Sequence, residues 1–128
     1  MYVYMQNNNK LSRLRQQLHD SVDRLRQVLE VAWDRSPLVK GSLYQIARRC
    51  GRPHCRCTRG HLHRNFVLTW SEQGRHHMRS LSPEQVAQLR PKSREYARFR
   101  QARAQVTVLC KRILAILDQI EELRREAS

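Results

Sequence analysis

The sequence predicts an α+β fold in which a small β-ribbon lies between an N-terminal helix and a long C-terminal helix. Three observations predict it. Apolar residues recur every three or four positions towards both ends of the 128-residue chain, short β-type segments occupy the middle, and a group of cysteines and histidines lies between two of those segments. We expect three parts: residues 1–36 for the first helix, residues 37–81 for the ribbon, and residues 82–128 for the C-terminal helices.

The first helix is predicted over residues 11–33, where apolar positions lie three or four residues apart and form one stripe. Pro37 disfavours helical geometry at Ser36, so this helix is expected to end near Asp34. The stripe consists of Leu11, Leu14, Leu18, Val22, Leu25, Val28, Leu29 and Ala32.

The ribbon is predicted from three short segments rich in β-branched, aromatic or aliphatic residues. Residues 43–47 precede the cysteines, residues 66–70 follow them, and Gly74 marks a turn before residues 76–81. Two or three strands of this length bury too little apolar surface to be stable alone. A bound metal is therefore expected to supply much of the folding free energy of the ribbon.

The C-terminal helix has a clear start signal, because Ser82 is a good N-cap, Pro83 suits the first helical position and Gln85 can complete a capping box. Pro91 is expected either to kink this helix or to begin a second one. No glycine or proline occurs in residues 92–125. The apolar stripe there consists of Tyr96, Phe99, Val106, Cys110, Ile113, Leu117 and Ile120.

A helix over residues 92–125 would be about 50 Å long and needs a second helix along it. The first helix is the expected mate in a coiled-coil-like pair, either within one chain or across a homodimer. The sequence leaves both arrangements open. Cys110 lies on the apolar stripe, so we expect it in the core as a small hydrophobic residue.

The charge of the chain is strongly positive and is concentrated in the middle. The chain carries 25 lysines and arginines against 11 acidic residues, a formal charge of +14. Residues 35–112 hold 18 basic and three acidic residues, whereas residues 1–34 have a net charge of +1 and residues 113–128 of −2. An excess of this size favours a polyanionic partner, above all nucleic acid.

Residues 50–63 form a candidate metal site, since they bring three thiols and three imidazoles together around turns that contain glycine and proline. These residues are Cys50, Cys55, Cys57, His54, His61 and His63. Zinc is the favoured metal. A disulfide is disfavoured by a reducing compartment, and no oriented base accompanies a catalytic thiol. His54 is adjacent to Cys55 and has poor reach back to the same ion, and spacing alone does not rank His61 and His63 as the fourth ligand.

The motif around these cysteines resembles a family of small bacterial proteins of unknown function, whose pattern reads G-S…R-C-G-K-P-x-C-x-C…G…H-G-P-Y-Y-x-L. The matching segments are residues 41–43, residues 49–57, Gly60, His63 and residues 68–70. The resemblance implies a zinc ribbon followed by a Tyr- and Arg-bearing helix, here residues 96–100, and covers residues 38–103. Its histidine matches His63, which implies Cys50, Cys55, Cys57 and His63 as ligands. Residues 64–67 depart from the pattern. The family is also common beside mobile-element genes.

Arginines around the candidate metal site and on the following helix are the candidate nucleic-acid contacts, because few acidic residues accompany them. They are Arg48, Arg49, Arg52, Arg56, Arg59, Arg64, Arg90, Arg94, Arg98 and Arg100. DNA is favoured over RNA, since a long basic helix suits the major groove and aromatic residues for base stacking are few. Only Tyr44, Phe66 and Trp70 could stack on bases.

The expected function is that of a zinc-containing, arginine-rich DNA-binding accessory or regulatory protein of a mobile genetic element, with a recombinase or another mobile-element protein as a candidate partner. The alternatives are an RNA-binding subunit of a ribonucleoprotein and a coiled-coil adaptor for a protein partner. No paired carboxylates, phosphate loop or H-E-x-x-H motif occurs, so we do not expect an enzyme. Residues 1–10 lack a signal-peptide core and no apolar run reaches ~18–20 residues, so we expect a cytoplasmic protein without a membrane partner.

Overall fold

The computed structural model of the chain describes residues 2–126, with side chains from residue 6 onwards. Helix α1 (Tyr2–Leu29) continues into a 3₁₀ turn (Glu30–Trp33). Three strands follow, which are β1 (Ser42–Arg48), β2 (His63–Glu72) and β3 (Arg75–Leu81), and then helix α2 (Pro83–Arg124). The predicted α+β fold, with a ribbon between two helices, is therefore confirmed. Within these residues, no helix is both long enough and apolar enough to cross a membrane.

The chain packs as two compact units. The sheet unit comprises residues 35–98, and the helical unit combines the residues up to 34 with those from 99 onwards. Helix α2 contributes its first part to the sheet unit and its second part to the helical unit.

In the helical unit, α1 and the second part of α2 pack antiparallel in one chain. Leu14 and Leu123 line one cavity between the helices, and Val28 and Val106 line another, which sets the direction of the pair. Buried and half-buried positions alternate in steps of three and four, the heptad spacing of a coiled coil. The seam consists of Leu11, Leu14, Leu18, Ser21, Leu25 and Val28 of α1, and Ala102, Val106, Leu109, Ile113, Ile116, Ile120 and Leu123 of α2.

This seam corrects the predicted stripes at several positions. Cys110, which we expected in the core, is exposed, and Leu117 is 43% exposed. Their neighbours Leu109 and Ile116 are only 5% and 4% exposed. The apolar residues of each helix cover a band wider than the seam. Only the positions that keep the strict 3.5-residue repeat face the partner helix.

In the sheet unit, the three strands form an antiparallel sheet in the order β1-β2-β3. Glu72 pairs with Arg75 across a two-residue turn. Gln73 and Gly74 both have positive φ in that turn, at 52° and 76°, as a tight hairpin requires. Gly41, just before β1, has φ +138°, and a Cβ there would lie 2.7 Å from the carbonyl oxygen of Thr69. Only glycine allows this close approach to β2.

The core of the sheet unit lies between one face of the sheet and the start of α2. It is built from Leu68, Leu81 and Val86, with flanking apolar side chains such as Phe66 and Trp70 packed against them. Leu68 and Phe66 are two residues apart along β2 and therefore point to the same face of the sheet. The end of β1 at Arg48 and the start of β2 at His63 are joined by residues 49–62, which we name the metal turn.

The start of α2 is fixed by the predicted capping box. The backbone N–H of Gln85 donates to Ser82 Oγ at 3.2 Å, and the side chain of Gln85 accepts from the backbone N–H of Ser82 at 2.9 Å. Pro91 lies inside one continuous helix and does not begin a second. Two hydrogen bonds hold the segment before β1 against α2. Val39 N–H donates to the Lys92 carbonyl, and Ser93 Oγ donates to the Gly41 carbonyl, both at 3.1 Å.

Candidate metal centre and its basic surroundings

The metal turn is positioned by the pairing of β1 with β2. Arg48, the last residue of β1, lies opposite His63, the first residue of β2. The chain between them folds back through a 3₁₀ turn (Arg56–Arg59), and Gly60 ends that turn with φ +95°. Because the two strand ends are neighbours, residues just after β1 and residues at the start of β2 lie together at one end of the sheet.

Four possible metal-donor atoms converge at this end of the sheet. The sulfurs of Cys50, Cys55 and Cys57 and a ring nitrogen of His63 all lie within 4.8 Å of one another. Cys50 Sγ is 3.5 Å from Cys57 Sγ, and Cys55 Sγ is 3.0 Å from His63 Nε2. A zinc–sulfur bond of about 2.3 Å places two sulfurs of a tetrahedral site about 3.8 Å apart. The Cys₃His group therefore has the donors and the spacing to hold a metal ion.

The surroundings of Cys55 favour the thiolate form that binds metals. The backbone N–H of Cys57, with the side chains of Cys50 and His63, lowers the pKa of Cys55 to about 6. The backbone N–H of Cys50 donates to Cys57 Sγ at 3.3 Å. Cys57 itself is 0% exposed, so one ligand of the group is shielded from water.

The structure also separates the histidines that the spacing had left open. His63 belongs to the converging group, whereas His54 and His61 are exposed and lie outside it among the described residues. His63 is the histidine that the family resemblance implied. The fourth cysteine, Cys110, is on α2 in the helical unit and takes no part in the group.

Six of the ten candidate arginines lie in residues 48–64, which we name the basic turn. This segment contains no acidic residue. All six are exposed, and none makes an ion pair within residues 2–126. They are Arg48, Arg49, Arg52, Arg56, Arg59 and Arg64. The basic turn thus surrounds the Cys₃His group with uncompensated positive charge.

The four arginines predicted on α2 have different environments. Arg90 is half-buried, with its guanidinium carbon 5.6 Å from the centre of the Phe66 ring, which indicates a cation–π contact. Arg94 is exposed, and Arg98 pairs with Glu95 at 3.3 Å. Arg100 is exposed and belongs to the helical unit. The helix therefore offers fewer free cations to a ligand than its sequence suggested.

One polar cavity of the sheet unit was not predicted. It has a volume of about 330 Å³, and no acidic side chain lines it. Lys40, Ser42, Thr69, His76 and Tyr96 are among its lining residues. Their cationic and hydroxyl groups suit an anion. Its lining residues are far apart in the sequence, because the cavity is formed by residues from β1, β2, β3 and α2.

Fold and site together define a small α+β protein in which a β-ribbon presents a Cys₃His group that could hold a metal ion. Residues 9–91 match the family described as Domain of unknown function (DUF6788), and the chain belongs to that family. The match includes most of α1 as well as the ribbon. No curated protein and no solved structure matches the chain. The predicted membership in a small family of unknown function is confirmed.

Proposed function

We propose that the protein binds nucleic acid through its sheet unit, with zinc in the Cys₃His group and DNA as the preferred polymer. The observation that carries the proposal is the charge around the metal-binding group. The sheet unit holds 14 basic and three acidic residues, a formal charge of +11. Six of its exposed arginines lie in the basic turn and form no ion pair among the residues that the structure describes. Lys and Arg that neutralise phosphates supply most of the non-specific affinity for nucleic acid.

Zinc is proposed because three thiolates and one imidazole are a typical structural zinc set, and closed tetrahedral sites of this kind stabilise small folds. The backbone of the basic turn has little regular structure besides one short 3₁₀ turn. A metal at its centre would hold six arginines in a fixed arrangement. Such preorganisation lowers the entropic cost of binding a phosphate backbone.

DNA is preferred over RNA because of the environments of the aromatic residues. Trp70 is stacked on His77 at a ring distance of 5.2 Å and packs against the core. Phe66 packs against the same core and beneath Arg90. Only Tyr44 of the three candidates is exposed, at 44%. RNA-binding sheets usually stack unpaired bases on two or three exposed aromatic rings. The single exposed ring of Tyr44 offers little surface for such stacking.

We further propose a binding role without catalysis, as an accessory or regulatory factor, and a mobile genetic element is the setting that the family resemblance favours. An RNA-binding subunit and a protein adaptor are the competing functions. They differ from the main proposal in the polymer that binds and in the dependence of the affinity on salt.

The test is a fluorescence-anisotropy titration of the full chain with a short DNA duplex and with an RNA hairpin of equal length, over a series of salt concentrations. Six phosphate contacts predict a slope of about −5 for log affinity against log salt with the duplex. Tighter binding of the RNA at every salt concentration would transfer the proposal to RNA. Absence of binding to both polymers would reject a nucleic-acid function and favour the adaptor.

A further inference from the structure

The two sides of the helical pair differ in the side chains that they expose. One side, which we name the polar side, is identified by two cavities that α1 and α2 line together. Charged and amide side chains from both helices line these cavities beside some apolar ones. They include Lys10, Gln17 and Arg24 of α1, and Gln105, Arg112 and Gln119 of α2.

The opposite side is identified by a third cavity, which Leu29 of α1 and Arg103 of α2 line together. Residues seven, 11 or 14 positions away on the same helix lie on the same side, because these spacings correspond to whole numbers of helical turns. We name this side the apolar side after its exposed apolar residues, which are Val22, Leu29, Phe99, Cys110, Leu114 and Leu117. Arg15, Arg100, Arg103, Glu121 and Arg124 lie on it as well.

The apolar residues of this side are exposed to solvent. Leu114 is 60% exposed, and Leu117, Leu29, Phe99 and Val22 are 38–43% exposed. Cys110 is exposed in the middle of this side. Contiguous apolar surface on a soluble domain indicates an interaction site. An isolated coiled-coil pair would need only its seam to be apolar, so the second apolar band requires its own explanation.

We propose that the apolar side is the interface of a homodimer, in which two helical pairs pack face to face as a four-helix bundle. This inference concerns the helical unit and does not depend on the proposed nucleic-acid function. Two helical pairs of equal length can cover each other's apolar side along its full extent, and a two-fold axis lets one surface serve both copies.

The size of the apolar side fits this occupant. The part of α2 in the helical unit, from residue 99 to 124, is about 40 Å long at 1.5 Å per residue. Two helices side by side, with axes 8–10 Å apart, are about 20 Å wide. The side therefore covers about 800 Å² per copy, which is the contribution of each partner to a standard stable interface.

The charged residues of the same side lie towards its two ends. Arg100 and Arg103 are near one end, and Arg15, Glu121 and Arg124 are near the other. An apolar centre with charged residues around it matches the anatomy of stable interfaces, in which a polar rim surrounds a buried apolar core.

Sedimentation equilibrium of the full chain over a wide concentration range tests the proposal. We expect twice the chain mass of 15.3 kDa at the higher concentrations. A Leu114→Gln/Leu117→Gln double variant should raise the dimer dissociation constant by on the order of a hundredfold, because each copy loses two buried leucines. Val108→Gln is the matched control. Val108 is 57% exposed on α2 but lines a cavity of the polar side, so the dimer should persist.

Two outcomes would overturn the proposal. One is a monomer at every concentration. The other is a dimer that the Val108→Gln variant weakens as much as the double leucine variant does. Circular dichroism at 222 nm checks that the variants keep their helices. If the double variant loses helix, Val22→Gln on α1 takes its place, and it should raise the dissociation constant at least tenfold.

Discussion

A Cys57→Ala variant is expected to purify without zinc and with its sheet unit largely unfolded. Cys57 is the buried member of the Cys₃His group, and the backbone N–H of Cys50 donates to its sulfur. Alanine removes one of four ligands and opens a void at the only fully shielded point of the group. In small zinc domains, metal binding contributes about 10–16 kcal/mol at pH 7, and folding depends on it.

The measurement combines metal analysis by inductively coupled plasma mass spectrometry with amide NMR spectra. The wild-type protein should contain one zinc per chain, and the variant less than a tenth of that amount. Amide signals of residues 42–81 should collapse towards random-coil positions. Cys110→Ala is the matched control, since Cys110 is an exposed cysteine of the helical unit, and it should retain the full metal content. Full metal in the Cys57→Ala protein would place the ion elsewhere.

An Ile116→Ala variant is expected to destabilise the helical unit by about 2–5 kcal/mol, as is typical when a buried isoleucine is truncated. Ile116 is 4% exposed and occupies a seam position of α2. Truncation leaves a cavity between two helices that meet along a single narrow seam. Each helix alone would expose its apolar positions to water, so packing along that seam decides whether the pair forms.

Thermal unfolding followed by circular dichroism at 222 nm gives the measurement, at one fixed protein concentration so that self-association affects all samples equally. Val108→Ala serves as the control, because Val108 is β-branched and also on α2 but is 57% exposed. Its midpoint should change little. Equal losses for the two variants would show that the seam is drawn through the wrong residues.

The parts of the fold that sequence predicts well are those with local causes. Ser82 and Gln85 satisfy each other's backbone groups within one turn, so the start of α2 can be read from four letters. The end of the first helical segment at Trp33, where the 3₁₀ turn after α1 stops, follows from Pro37 in the same way. The hairpin at Gly74 follows from a residue that accepts positive φ.

The seam could not be predicted to the residue, because the choice between neighbouring apolar positions is made by the second helix. Leu109 and Cys110 are both apolar and adjacent, and a period of 3.6 accommodates either one. Only contact along the full length of α1 imposes the period of 3.5 that buries Leu109 and exposes Cys110. The same reasoning explains why Ser21 is buried at 6% while the more apolar Val22 is 38% exposed.

The metal-binding group shows a similar division. The three cysteines could be identified from spacing and residue chemistry alone. The choice of His63 over His61 depends on where β2 begins and on its pairing with Arg48 at the end of β1. Strand register is set by long-range pairing and by the face of the sheet that is buried. Only the family resemblance carried that information at the level of sequence.

The basic turn around the Cys₃His group is the proposed nucleic-acid-binding surface. The most direct measurement compares the salt dependence of duplex binding for two triple variants of equal net charge. One is Arg52→Gln/Arg56→Gln/Arg59→Gln in the basic turn. The other is Lys10→Gln/Arg13→Gln/Arg24→Gln on α1, where all three side chains are exposed.

We expect the slope of log affinity against log salt to become shallower by about three for the variant of the basic turn, one for each lost phosphate contact. The α1 variant should keep the wild-type slope. Equal changes in the two slopes would mean that only the overall charge attracts DNA, and would contradict a binding surface organised by the metal-binding group.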